Sequence, residues 1–409
     1  MTGPVIGRDY DTAVWSWSQH LRGGGSTPWA QWRSGDHDDR PPAGWIPPGA
    51  AQLEVVRRAA LRRRRPAETA ALADVVLSRS GPGRGRAWQP LDWPGAPPRS
   101  FGAPAVDPAD VPVSELLRVA AGALTELVLR PAGAEPSAPA TGRRGLLTRT
   151  PPFELAGSPV TTSAVRRELA ARGHVEGGRK PTVVLLVEPL DQALAQVWSA
   201  RVQRGAPVRW PGFVDRWAGR RDLPPSADVA AIAALWAEGV GADRVHVVPG
   251  PASVDDAVRS TVAAIGLRPG RPTTAGPARW RDLSPAAVDA LRRVNSVLNV
   301  RVAEQRRDIA RHVARDALAA TVTGEGDLHR WTVPEAHRDW VTDRARRLAD
   351  DLSQGGYAVH GRLDRVVPSA AGLPTQPRST DVLDVLLGAC LHRLSSTSAA
   401  RPPEGAPRP

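Results

Sequence analysis

Gly157-Ser158-Pro159-Val160-Thr161-Thr162-Ser163 is the stretch of this chain whose residue types and spacing come nearest to chemistry. A glycine followed by small hydroxyl residues, between a strand and a helix, can cradle an anion. The first N–H groups of the helix point at the ligand and the glycine lets the backbone approach it. Gly157, Ser158, Thr161, Thr162 and Ser163 are therefore the candidate phosphate-binding residues. The cation that completes such a loop is missing: the single lysine, Lys180, precedes the second predicted strand instead of following the first. A P-loop lysine is thus excluded by composition. A plain connection, with Gly157 allowing close packing and Ser163 capping the helix, is the favoured reading of the same residues over a surviving phosphate-like pocket.

Other chemically capable residues are more isolated. Glu188 follows the second predicted strand, where an acid or base of an α/β sheet would stand. No partner for it is legible, and a solvated carboxylate at a helix start is expected. Asp36-His37-Asp38-Asp39 offers four possible metal ligands, but consecutive loop residues seldom converge on one ion. His-Glu-x-x-His, Gly-x-Ser-x-Gly and zinc spacings do not occur, so no catalytic residue and no metal ligand is assigned. His246 falls on a predicted buried strand and reads as a satisfied core histidine. The lone Cys390 rules out an intrachain disulfide and a multi-cysteine zinc site. Its apolar run, 382–391, makes it a small buried hydrophobe.

The elements that must position these residues are legible from periodicity. Strands at 153–157, 182–187 and 244–248 alternate with helices from 164 to about 173, 190–204, 211–218 and 226–239. That alternation predicts a parallel sheet with crossovers on its faces. From about 280 the pattern is helical. Ser284-Pro285 gives an N-cap with proline at the first helical position. Thr332-Val-Pro-Glu335 has capping-box spacing ahead of an amphipathic helix that stops at Gly355-Gly356, and 381–394 is a last amphipathic stretch. Before the sheet, helices are predicted at 50–65, 68–77 and 114–129, the last with Ser114 as N-cap. Residues 1–130 also hold Trp15, Trp17, Trp29, Trp32, Trp45, Trp88 and Trp93. If Trp15, Trp17, Trp29 and Trp32 lined one groove they would make a carbohydrate- or partner-binding surface; core packing is the commoner use of indoles.

The expected fold class is α/β. A helical Trp-rich domain at 1–130 and a Pro/Ala linker at 131–146 precede a small parallel-sheet core at 147–275. A helical region at 276–394, packed on the core, and a disordered tail at 395–409 follow. The chain has 409 residues, 41 prolines, 38 glycines, a formal charge of +12 and a pI near 11.2. Almost all the positive charge is arginine. The excess suits acidic partners, although the same bias is what a GC-rich coding sequence produces. The arginines are scattered, and the run Arg57-Arg58 with Arg62–Arg65 ends a predicted helix, where cations suit the dipole. Nucleic acid is not expected as a partner. No stretch approaches the roughly 20 apolar residues of a membrane span, and the N-terminus lacks a basic region followed by an apolar core. A soluble, cytoplasmic protein is expected.

Residues 150–368 resemble the bacterial, especially actinobacterial, proteins related to PAPS-dependent sulfotransferases. Four elements carry the resemblance: the strand-loop-helix at Phe153–Leu169; the strand 183–187 with Glu188-Pro189-Leu190 and Trp198; Leu235-Trp236 ahead of Gly241–Val248; and the tail with Arg292-Arg-Val-Asn295, Trp340–Leu352 and Gly355–Val359. The resemblance implies a P-loop-like core with its 5′-phosphosulfate loop at 157–163. Three departures remove what the donor would need. Val160 stands where the family has a loop lysine. Glu188-Pro189-Leu190 replaces Arg-Asp-Leu, whose arginine binds the 3′-phosphate. Gln196 replaces a serine. Two like charges about 4 Å apart repel by roughly 4 kcal/mol at an effective dielectric of about 20.

The resulting expectation is a degenerate sulfotransferase-like protein, not an enzyme and without a cofactor, acting by binding an unknown protein or glycan partner. Two alternatives stay open. One is an active sulfo- or glycosyl-type transferase on a cell-surface glycan, using PAPS in the sulfotransferase case. The other is a polyanion-binding protein driven by net charge.

Overall fold

The structure, a computed structural model, describes residues 6–62, 65–78, 89–94, 102–130, 151–251, 253–267, 283–321, 332–369 and 375–399. The expected linker, Trp88 and residues 400–409 lie outside that set. Along the first part of the chain run α1 (Ile6–Arg22), α2 (Trp29–Trp32), α3 (Ala50–Ala60), α4 (Pro66–Leu77) and α5 (Val113–Leu129). Next come β1 (Phe153–Gly157), α6 (Pro159–Ala171), β2 (Thr182–Val187), α7 (Leu190–Gln203), α8 (Trp210–Arg220), α9 (Val229–Val240), β3 (Val245–Pro249) and α10 (Val254–Ala264). Last are α11 (Pro285–Arg301), α12 (Glu304–Ala319), α13 (Arg338–Gln354), β4 (Ala358–Val359) and α14 (Ser379–Ala399).

The chain divides into two compact units, one of residues 1–136, 289–323 and 378–409, the other of 137–288 and 324–377. Of the C-terminal helices expected on the α/β core, α13 packs there, against α7 and α9, whereas α12 and α14 pack with α5, and α14 also meets α4. The reason is apolar matching: Leu116, Leu117, Ala120 and Leu124 of α5 and Leu383, Leu386, Leu387 and Cys390 of α14 are all buried. Burial pushes the Cys390 thiol up to about 12, which suppresses thiolate chemistry. Helix α14 continues through residues 395–399, five residues into the expected tail.

Proline sets several boundaries. Pro66 begins α4 at its first position, and the helix predicted at 50–65 ends at Ala60. Ser284 caps α11 as expected, its Oγ accepting from Ala287 N at 3.2 Å. Ser114 does not cap α5; the N-cap lies two residues earlier, at Pro112, with no side-chain cap. The capping box predicted at Thr332–Glu335 is replaced by a 3₁₀ turn, Glu335–His337, ahead of α13.

In the second unit the sheet is parallel throughout, in the order β1-β2-β3-β4. Its central strand β2 is apolar on both faces, as a doubly covered parallel strand must be. Phe153, Leu155, Val184, Leu186 and Val248 form one core with Val165 and Leu169 of α6 and Val258 and Val262 of α10. Val183, Leu185 and Val187, on the other face, are equally buried. The carboxyl ends of β1 and β2 therefore lie side by side, with α6 and α7 starting from them.

Candidate functional site

Strand β1 ends in Gly157 at φ +112°. A Cβ there would lie 2.2 Å from the Leu186 carbonyl oxygen on β2, so only glycine fits. That carbonyl instead accepts a 3.0 Å bond from Ser158 N. Ser158 is the N-cap residue of α6 and Pro159 its first helical residue. The helix thus begins five residues before the expected Ala164, and Ser163 is not its cap. Thr161, Thr162 and Ser163 belong to the helix and not to a turn preceding it.

The N–H groups that an anion would use are already bonded. Gln196, about two turns into α7, aims its Oε1 at Val160 N and Thr161 N, both at 3.1 Å. Two N–H donors converging on one side-chain atom fix that atom as the oxygen. The Gln196 amide nitrogen donates to Thr161 Oγ1 at 3.0 Å, and Thr161 Oγ1 donates to Glu188 Oε1 at 2.6 Å. The Gln196 amide also bonds Glu188. A neutral carbonyl oxygen of the chain itself thus takes up these two amides, and a carboxylate closes the network behind it.

The network is dry. Thr161 is 0 % exposed, Gln196 2 % and Glu188 7 %. Glu188 is therefore not the solvated carboxylate expected from sequence, because it sits against α6 instead of at a free helix start. Burial pushes its carboxyl above the usual range, opposed by the bonds from Thr161 and Gln196 and reinforced by nearby Asp191. Asp191, in the first turn of α7 and 2 % exposed, is raised to about 6, chiefly by burial. Bonds from Gln192 and from Thr332 oppose that rise. The partners of both carboxylates among the described residues are hydroxyls and amides, none of them a cation.

Of the five candidate residues, Gly157, Ser158, Thr161 and Thr162 come together at this turn. Ser163 is half-buried farther along α6. Ser158 Oγ and Thr162 Oγ1 are buried without a hydrogen-bond partner among the described residues. The chain matches no family model, no curated protein and no solved structure. Sequence reasoning missed the structural roles of Gln196 and Asp191. The only signal for Gln196 was its spacing, eight residues past Glu188.

The remaining candidates resolve into packing. His246 is half-buried, with Nδ1 2.8 Å from His360 Nε2. Burial, then His360, lowers its pKa. His37 stacks on Trp32. Trp17 and Trp29 are buried, donating to the carbonyls of Thr27 and Asp92. The four indoles therefore share no groove; Trp15 instead meets Trp45 edge-to-face. Arg57 and Arg58 both bond Glu54, which is 0 % exposed, so this part of the basic run neutralises an internal charge. No helix among the described residues is long and apolar enough to cross a membrane.

Proposed function

We propose that the protein is a non-catalytic binder built on a degenerate sulfotransferase-like core, and that it acts through a partner and not through a bound donor. The observation that carries this reading is the Gln196 oxygen on Val160 N and Thr161 N. A phosphosulfate donor would have to displace a buried amide that makes all its bonds, then sit beside a carboxylate. Positioned positive charge is what phosphoryl and sulfuryl transfer require. The turn offers none: Val160 is apolar, and Glu188 carries the wrong sign once ionised. The residues present do not fit PAPS.

Thermal melting with added PAP or PAPS tests this. A ligand at 100 times its Kd adds about 2.7 kcal/mol of stability, an easily read shift. No shift is expected with either nucleotide. A reproducible, saturable shift would return a working donor site to the protein and overturn the proposal.

A further inference from the structure

Arginines are dense along α8 and at its ends. Residues 201–222 contain six arginines and two aspartates. Both aspartates are engaged elsewhere: Asp215 bonds His337 at 2.6 Å and Asp222 faces Arg344 at 3.6 Å. Arg209, Arg216 and Arg220 are exposed and form no ion pair among the described residues. Arg216 and Arg220, one turn apart, share a stripe of α8 about 6 Å apart at 1.5 Å per residue, and Arg209 stands at the N-cap of the same helix. Arg220 and Arg201 both lie over the Trp217 ring, at 5.6 and 5.9 Å from its centre, which holds two guanidinium groups in place without neutralising either.

The surface around the stripe is low and polar. Gly212 and Gly219 flank it, and a Cβ at either would meet nothing within 4 Å. The large apolar residues of α8, namely Trp210, Phe213, Val214 and Trp217, are all buried. No aromatic anchor is offered of the kind that dominates protein–protein interfaces, and no indole face is free for stacking a single-stranded base. What remains is a smooth row of planar, bidentate cations, the group best matched to phosphate oxygens.

We propose that this face of α8 docks the phosphodiester backbone of duplex nucleic acid, recognised by charge and not by base sequence. A duplex presents about one charge per 1.7 Å of its axis, so each guanidinium finds a phosphate whatever the register. This deepens the reading of the protein as a binder by naming the partner's chemistry. It stands on residues other than those of the Gly157 turn, so a donor nucleotide bound at that turn would leave it untouched.

Fluorescence anisotropy with labelled duplexes of about 20 base pairs and two unrelated sequences tests the proposal on the full chain over a salt series. Equal affinity for both sequences is expected. The triple variant R209A/R216A/R220A is expected to have a log K against log salt slope shallower by about 2.7, at about 0.9 per lost contact. Its affinity at about 100 mM salt is expected to be at least tenfold weaker. All three residues are exposed, so the melting temperature should hold. The control R306A/R347A/R378A removes the same charge from exposed positions elsewhere and should bind as the parent does. Equal loss in the control, or binding to heparin with none to duplexes, would overturn the proposal.

Discussion

Gly157→Ala is expected to destabilise the protein by about 3 kcal/mol or more, among the largest single-residue effects available in the α/β unit. Two costs combine. The alanine would have to hold φ +112°, which L side chains rarely adopt, and its methyl would lie 2.2 Å from the Leu186 carbonyl oxygen. Relief requires the end of β1 to move off β2, which breaks the bond from Ser158 N to that oxygen. The first turn of α6 would shift with it, away from Gln196. Urea unfolding followed by circular dichroism measures the loss as a lower midpoint at unchanged slope. A loss below about 1 kcal/mol would mean that the turn is not built as described.

The second large effect is a dependence on pH. Asp191 is held at about 6 in the folded protein against an ordinary 3.8, chiefly because burial disfavours its charged form. A raised carboxyl binds its proton more tightly when folded. Its stabilising contribution is complete below about pH 4 and is lost as pH rises through about 6. At about 1.36 kcal/mol for each pH unit, the rise from 3.8 to about 6 amounts to about 3 kcal/mol. Glu188 is shifted in the same direction and adds to the effect. Asp191→Asn keeps an acceptor for Gln192 and Thr332 but cannot ionise. The variant should therefore gain on the parent between about pH 4 and 6, by up to about 3 kcal/mol, and keep that advantage at higher pH. A constant difference between the two across that range would show that Asp191 does not ionise against a burial cost.

Much of this architecture is legible in the sequence because it rests on local pattern. The run 182–187 is apolar without alternation, which fits a parallel strand covered on both faces, and β2 is such a strand. β1 and β3 follow from short apolar runs beside glycine and proline, and the alternation with helices implies their parallel order. The start of α6 was not legible. Thr161, Thr162 and Ser163 are poor helix formers that read as a turn, and what carries them into the helix is Pro159 at its first position and Gln196 bonding its free N–H groups. Strand β4 is two residues long, too short for any periodicity to register. The amphipathic face of α14 was visible, but a face does not name the surface it covers, and its contacts run to α5.

The candidate turn was half legible. The absence of a lysine from the turn and the presence of Glu188 after β2 could be read position by position. The bonding of the turn's N–H groups by Gln196 could not: Gln196 lies 35 and 36 residues from the amides it bonds, and a glutamine inside a helix is otherwise unremarked. Nor could the burial of Glu188, which depends on α6 closing over the end of β2. Both belong to tertiary packing, which overrides the local expectation of a solvated helix start.

A crystal structure grown from molar sulfate examines the filled turn most directly. Gln196 Oε1 should remain within hydrogen-bond distance of Val160 N and Thr161 N, and Thr161 should remain on Glu188, with no anion at the start of α6. Sulfate bound to those two amides, with the Gln196 side chain swung aside, would contradict the account and leave the turn a working anion site.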